Sequence, residues 1–115
     1  MTEPINHKQT IPVKPKVKQR PRLGRRGRVF TPEQTLVFER YIGSSWHGPC
    51  ADTPVSMVIG LYKDKVTITV KTLDGPASKL RGDIDNYAKS ILDGLNGIAY
   101  TDDKLVQRLL VTKHE

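Results

Sequence analysis

The sequence of 115 residues has almost no cysteine and no long hydrophobic run, and each scarcity excludes a class of protein. Cys50 stands alone, which excludes a disulfide within one chain and a cysteine-based zinc site. No apolar stretch approaches the roughly 20 residues that a membrane-spanning helix needs, and the polar start has no signal-peptide pattern. We therefore expect a cytoplasmic protein without a membrane partner.

Acidic residues are nearly missing from the first quarter of the chain. Residues 1–30 contain nine Lys and Arg residues against one acid, whereas residues 31–115 contain ten bases and eleven acids. The net charge of +7 is therefore a local feature, which favours a nucleic-acid partner over a merely solvated basic tail. The side chains that we expect to bind DNA lie together in this region. They are Lys18, Arg20, Arg22, Arg25, Arg26 and Arg28.

The length and the mixture of patterns predict one small domain of the α/β (α+β) class. Residues 1–9 are polar and unpatterned, and we expect a disordered tail there. Residues 10–115 form the predicted domain. Within it, residues 10–17 alternate like an edge strand that carries two prolines, and residues 18–30 predict a mobile basic loop that binds DNA.

Two helices and a small mixed β-sheet follow from the patterns downstream. Thr-Pro-Glu at residues 31–33 predicts the start of a helix from Pro32 to about Ser45. Residues 55–72 predict two strands, or a single longer bent strand. Residues 105–111 predict a last strand. We expect the resulting sheet to pack against the two helices.

The second helix carries the most informative polar residues. Apolar residues at helical spacing predict a helix that starts at Asp83 and stops at Asn96-Gly97. Asp83 then occupies the N-cap and Asp85 lies in the first turn, where the positive end of the helix dipole tolerates carboxylates. Lys89 lies one turn beyond Asp85 on the same face.

A second acidic pair, Asp102-Asp103, lies at a predicted junction between a loop and the last strand. If that strand pairs beside the one that precedes the second helix, three carboxylates meet at one end of the sheet. Oxygen ligands of this kind suit Mg²⁺, with Mn²⁺ as the alternative ion. Lys89 would then stabilise negative charge on a phosphate or position a water molecule.

Each of these features also has an ordinary structural interpretation. An Asp at a helix start can be a cap, Asp85 and Lys89 can form an i to i+4 ion pair, and Asp102-Asp103 can be a turn. Asp93 lies on the polar half of the helix, where a structural role is expected. The residues alone therefore leave open both a metal-dependent nuclease and a non-catalytic basic protein that binds nucleic acid.

One extended motif resembles a known family. The stretch DIDNYAKSILDGLNGIAYTDDKLV is similar to the pattern D-x-D-N-x-x-K-x-x-x-D-x-L and following D-D pair of the RusA-type Holliday-junction resolvases, common in phages and prophages. The segments IPVKPKVKQRPR and RVFTPE resemble the amino-terminal part of that family. Together these similarities cover most of residues 10–113. Gly82 departs from the family, whose members often have proline or a basic residue there.

The resemblance implies roles for particular residues. It implies that Asp83, Asp85 and Asp103 are catalytic and bind the metal, and that Lys89 matches the essential lysine of the family. It also implies an α/β homodimer that binds four-way and other branched DNA, needs no small-molecule cofactor, and makes paired nicks during recombination and repair. The expected location is then the cytoplasm of a bacterial or phage-infected host cell.

Overall fold

The computed structural model describes residues 4–18, 22–23, 29–30 and 32–114. Contacts divide the chain into two compact units, Met1–Asp74 and Gly75–Glu115. The single domain expected from the sequence stays a prediction. In the described part of the chain, no helix is long and apolar enough to cross a membrane.

Within the residues that the structure describes, the first unit contains five strands and one helix. They are β1 (Asn6–Ile11), β2 (Arg22–Leu23), β3 (Val29–Phe30), α1 (Glu33–Ser45), β4 (Val55–Leu61) and β5 (Val66–Thr72). Three of the strands form an antiparallel sheet in the order β1-β5-β4, and β2 pairs with β3 in a separate antiparallel ladder. Strand β5 is therefore the central strand of the sheet.

The core of the first unit lies on one face of β5. Val66 and Ile68 are buried together with Ile11, which faces Val66 across the β1–β5 pair and is fully shielded from solvent. Alternate residues of a strand point to the same side of the sheet, which explains why the V-T-I-T-V pattern places its apolar residues there. Ile42 of α1 and the neighbouring Trp46 pack against this cluster.

The end of α1 is attached to β1 through one polar side chain. The amide nitrogen of Gln9 donates to the carbonyl of Ser45, and the amide oxygen of Gln9 accepts from the backbone N–H of His47 at 2.9 Å. These bonds satisfy a carbonyl of the last turn that the helix itself leaves without a partner. Gln9 thus fixes where the helix ends relative to the strand.

The second unit contains α2 (Ile84–Leu95) and a short 3-10 helix (Asp103–Leu105). Helix α2 starts after Asp83 and is followed by Asn96 and Gly97, as predicted. Gly97 has a φ of +81°, a left-handed conformation that glycine adopts without steric cost. The Tyr100 hydroxyl donates to the carbonyl of Leu92 at 2.6 Å and ties the following turn back onto the helix.

Several predictions about the sheet are confirmed and others are wrong. The α+β class is confirmed, residues 55–72 form two strands rather than one, and α1 ends at Ser45. The disordered tail is wrong for residues 6–9, which belong to β1. This strand is mostly polar and half exposed, and the backbone bonds to β5 order it without an alternating apolar pattern.

The predicted edge strand and last strand also differ from the structure. Strand β1 is at an edge, but it ends at Ile11, immediately before the first of the two prolines. Residues 106–114 do not form a strand. The described strand pairs are all antiparallel, whereas the sequence predicted a mixed sheet. In the predicted basic loop, residues 22–23 and 29–30 are paired strands, and residues 19–21 and 24–28 lie outside the described part.

Replacement of the most buried side chain tests this core. Ile11→Ala is expected to lower the free energy of unfolding by about 2–5 kcal/mol, because it removes buried methyl groups and leaves a cavity. Ile59→Ala is the matched control, since Ile59 is 57% exposed in the same sheet, and its loss should be below about 1 kcal/mol. Denaturant unfolding of both variants measures the difference, and equal losses would contradict the assigned core.

Candidate active site

Asp83 is the N-cap residue of α2, but its carboxylate does not act as the cap. The backbone carbonyl of Asp83 accepts from the N–H groups of Asn86 and Tyr87 at 3.1 and 3.2 Å. Its side chain makes no capping hydrogen bond, although an Asp in this position commonly does. The exposed carboxylate is therefore available to bind something else.

The side chains of Asp85 and Lys89 also lack a bonded partner among the described residues. Both side chains are exposed, and within the described residues they take part in no hydrogen bond or ion pair. The i to i+4 pair between them, which the sequence offered as an ordinary interpretation, is not formed. Two carboxylates and one ammonium group thus lie free on the first turns of α2.

The residue before Asp83 is held on both sides by hydrogen bonds. The backbone N–H of Gly82 donates to the Tyr87 hydroxyl at 3.1 Å, and the Lys113 ammonium donates to the Gly82 carbonyl at 2.9 Å. Helical side chains lean toward the N-terminus, which directs the Tyr87 ring back to Gly82. A Cβ on Gly82 would lie 2.8 Å from this ring, so glycine allows the approach.

The neighbouring acids Asp102 and Asp103 have different surroundings. The Asp102 carboxylate accepts from the backbone N–H of Lys104 at 2.9 Å and so caps the 3-10 helix. This hydrogen bond, with a smaller contribution from Asp103, lowers the pKa of Asp102. Asp103 lies half-buried in the first turn of the 3-10 helix.

The charge of Asp103 acts on the hydroxyl group of Tyr100. Partial burial raises the pKa of the Tyr100 hydroxyl, and the negative charges of Asp103 and Asp93 raise it further. This hydroxyl is bonded to Leu92 of α2, and the charge of Asp103 acts on it. Asp83 and Asp85 lie at the opposite end of the helix.

The structure does not gather the three predicted metal ligands. Among residues 4–18, 22–23, 29–30 and 32–114, no three His, Cys, Asp or Glu side chains lie together closely enough to hold one metal ion. Asp83 and Asp85 are near neighbours in sequence at one helix end, and Asp103 does not join them. The three-ligand site therefore stays a prediction, and Asp83 and Asp85 are the two acids that the structure places at one helix end.

The predicted DNA-binding residues lie mostly outside the described part of the chain. Lys18 is exposed and forms an ion pair with Glu39 at 3.3 Å. Arg22 belongs to β2, and its side chain is outside the description. The remaining predicted residues are outside it altogether. They are Arg20, Arg25, Arg26 and Arg28.

Sequence reasoning missed Tyr87 and Lys113 as parts of this region. The sequence contained a signal for Tyr87, since a residue four positions after the N-cap of a helix lies one turn above it. Lys113 is 31 residues from Gly82 and follows the segment, residues 105–111, that the sequence predicted as a strand. No local pattern indicated its contact with Gly82.

Comparisons with known proteins identify the family. The model of the family described as Endodeoxyribonuclease RusA matches residues 12–115. The chain is 33% identical over 123 residues to the uncharacterized protein YqaN of Bacillus subtilis (strain 168), covering 92% of this chain and 85% of that protein. No solved structure matches it significantly. Since the family model spans nearly the whole chain and includes the acidic motif of α2, this chain belongs to the RusA endodeoxyribonuclease family.

Proposed function

We propose that this protein is a Mg²⁺-dependent, structure-selective endodeoxyribonuclease that resolves Holliday junctions and other branched DNA. It makes paired, symmetric nicks during recombination and repair, in the cytoplasm of a bacterial or phage-infected cell. Membership of the family supports an endodeoxyribonuclease.

Membership of the RusA family carries this proposal, and the free carboxylate of Asp83 is the structural observation that supports its site. An Asp at a helix N-cap has a nearby backbone N–H to accept from, and using it stabilises a helix by about 0.5–2 kcal/mol. Asp83 does not use it, and Asp85 makes no ion pair with Lys89. Polar groups that forgo available local partners are expected where a ligand binds.

In the proposed site, Asp83, Asp85 and Asp103 bind the divalent ion and Lys89 contacts the DNA. Carboxylate oxygens are the ligands that Mg²⁺ prefers, and Mn²⁺ is the alternative. The Lys89 ammonium stabilises the negative charge of the phosphodiester that is cut. Phosphodiester hydrolysis needs such stabilisation because negative charge accumulates on the phosphate oxygens in the transition state.

The proposal requires Asp103 to approach the start of α2 when the ion binds. Titration with Mn²⁺, whose unpaired electrons broaden nearby NMR signals, checks this directly. We expect the amide signals of Asp83, Asp85 and Asp103 to broaden together at the same low Mn²⁺ concentration. Broadening of the first two alone would contradict a three-ligand site.

Replacement of each proposed metal-binding aspartate should lower the cleavage rate and leave the affinity for the junction nearly unchanged. Asp83→Asn, Asp85→Asn or Asp103→Asn is expected to lower the cleavage rate of a synthetic four-way junction by at least about 100-fold, because each removes a metal ligand. Binding of the junction should stay within about threefold, since the basic residues are intact. Gel-based cleavage and binding assays with and without a chelator measure both.

Asp64→Asn is the matched control for these variants, since it makes the same chemical change outside the proposed site. It should cut at the wild-type rate. If the wild-type protein binds the junction but cuts nothing with Mg²⁺ or Mn²⁺, the non-catalytic binding protein is the correct alternative. Retained cleavage in all three ligand variants would refute the site assignment.

A homodimer completes the proposal. A dimer with two-fold symmetry presents two equivalent active sites to a four-way junction, which has matching symmetry. Paired nicks at symmetric positions then follow from the assembly without further residues.

The basic segment is expected to bind the DNA backbone. Replacement of Arg22, Arg25 and Arg26 with Ala should weaken junction binding and reduce the slope of log K against log [salt] by about 0.9 for each lost phosphate contact, because fewer counterions are released. Binding measured between low and moderate salt checks the slope. The control triple variant, Lys63, Lys65 and Lys71 to Ala, removes the same charge from the region of β4 and β5. An equal loss of slope in the control would contradict a localised DNA contact.

A further inference from the structure

The residue before Asp83 has both of its backbone polar groups bound by side chains from other parts of the second unit. The Tyr87 hydroxyl accepts from the Gly82 N–H at 3.1 Å, and the Lys113 ammonium donates to the Gly82 carbonyl at 2.9 Å. Tyr87 belongs to α2, whereas Lys113 lies in the segment that follows the 3-10 helix. Tyr87 and Lys113, which are well separated in the sequence, therefore both bond to the backbone of one glycine.

The segment that carries Lys113 is itself attached to the loop before α2. The Ser78 hydroxyl donates to the carbonyl of His114 at 2.7 Å and accepts from the backbone N–H of Leu80 at 3.1 Å. The contacts of Ser78 and Lys113 thus bind adjacent residues of the segment to the middle and to the end of the loop before α2. Lys113 is half-buried, which favours a defined position for its ammonium group over a freely rotating one.

These contacts fix the backbone of Asp83 because a peptide group is planar. The carbonyl of Gly82, the nitrogen of Asp83 and the Cα of Asp83 lie in one plane, so a bond that holds the carbonyl also orients the start of Asp83. The carbonyl of Asp83 is bonded in turn to Asn86 and Tyr87 inside the helix. The backbone of Asp83 is therefore held from both sides while its carboxylate stays free.

We propose that Tyr87 and Lys113 are positioning residues that aim the Asp83 carboxylate through the Gly82 peptide. This inference rests on the proposed role of Asp83 in cleavage. Both side chains bond to the backbone of Gly82, so in this proposal they act on the Asp83 carboxylate through one peptide group. Lys113 makes a bond assisted by its charge, which is stronger than a neutral one and suits the holding of a carbonyl.

The contact itself is tested without metal or DNA. In Tyr87→Phe, which keeps the ring and removes the hydroxyl, the Gly82 amide should exchange its hydrogen at least about fivefold faster than in the wild type, measured by NMR. Tyr62→Phe is the matched control, since Tyr62 lies in the first unit, half exposed beside Lys65. Unchanged exchange of the Gly82 amide in Tyr87→Phe would overturn the proposed contact.

The positioning role is tested by cleavage kinetics on a four-way junction. Tyr87→Phe and Lys113→Met should each lower kcat about tenfold and raise the Mg²⁺ concentration needed for half-maximal rate, with KM for the junction within twofold, because a misaimed carboxylate affects the bound complex. Lys113→Arg should recover most of the rate, since it retains a cationic donor. Lys79→Met removes the same charge from the same loop and should match the wild type.

The outcomes separate this inference from the proposed function. Wild-type cleavage with unaffected Tyr87→Phe and Lys113→Met variants overturns the positioning role alone, as does a rise in KM with unchanged kcat, which indicates a DNA contact. A wild-type protein that does not cut refutes the proposed function and the positioning role together. Thermal unfolding verifies that each variant is folded, and Lys113→Gln replaces Lys113→Met if the latter is not.

Discussion

The planar peptide between Gly82 and Asp83 is the constraint on which the arrangement at the start of α2 depends. Backbone bonds inside the helix hold Asp83 from one side, and a hydroxyl and an ammonium group hold Gly82 from the other. A side chain at position 82 would require the Tyr87 ring to move, because a Cβ there would lie 2.8 Å from it. A rigid backbone with a free carboxylate is the arrangement that a preorganised site requires.

Stability and function draw on different parts of this chain. The buried residues of the first unit, chiefly Ile11, Val66 and Ile68, come from β1 and β5. The proposed active site lies on α2, whose first turns gain no stability from a side-chain cap or from an ion pair between Asp85 and Lys89. Local interactions of that kind are each worth a fraction of a kcal/mol to about 2 kcal/mol, so the helix forgoes them where acidic groups must stay available.

The sequence predicted the elements whose patterns are local. Helix α2, its start at Asp83 and the alternation of β5 are all visible in short windows, and the extended acidic motif identified the family. Strand β1 was misplaced because its backbone bonds to β5 are what order its polar residues. The last strand was predicted from apolar residues at 105–111, yet a strand also needs a partner, which no local pattern supplies. The bond between Lys113 and Gly82 is equally non-local and was equally invisible.

The twin aspartates after α2 show that two identical neighbours need not be interchangeable. The carboxylate of Asp102 accepts a hydrogen bond from the backbone N–H of Lys104, whereas Asp103 lies within the 3-10 helix that this bond caps. Asp103 is also the acid of the pair whose charge raises the pKa of the Tyr100 hydroxyl. A single-residue insertion between Tyr100 and Asp102 would leave the composition of the pair untouched and still change which acid faces the tyrosine. The register of this turn, more than the number of acids in it, is what evolution or a protein engineer would have to preserve.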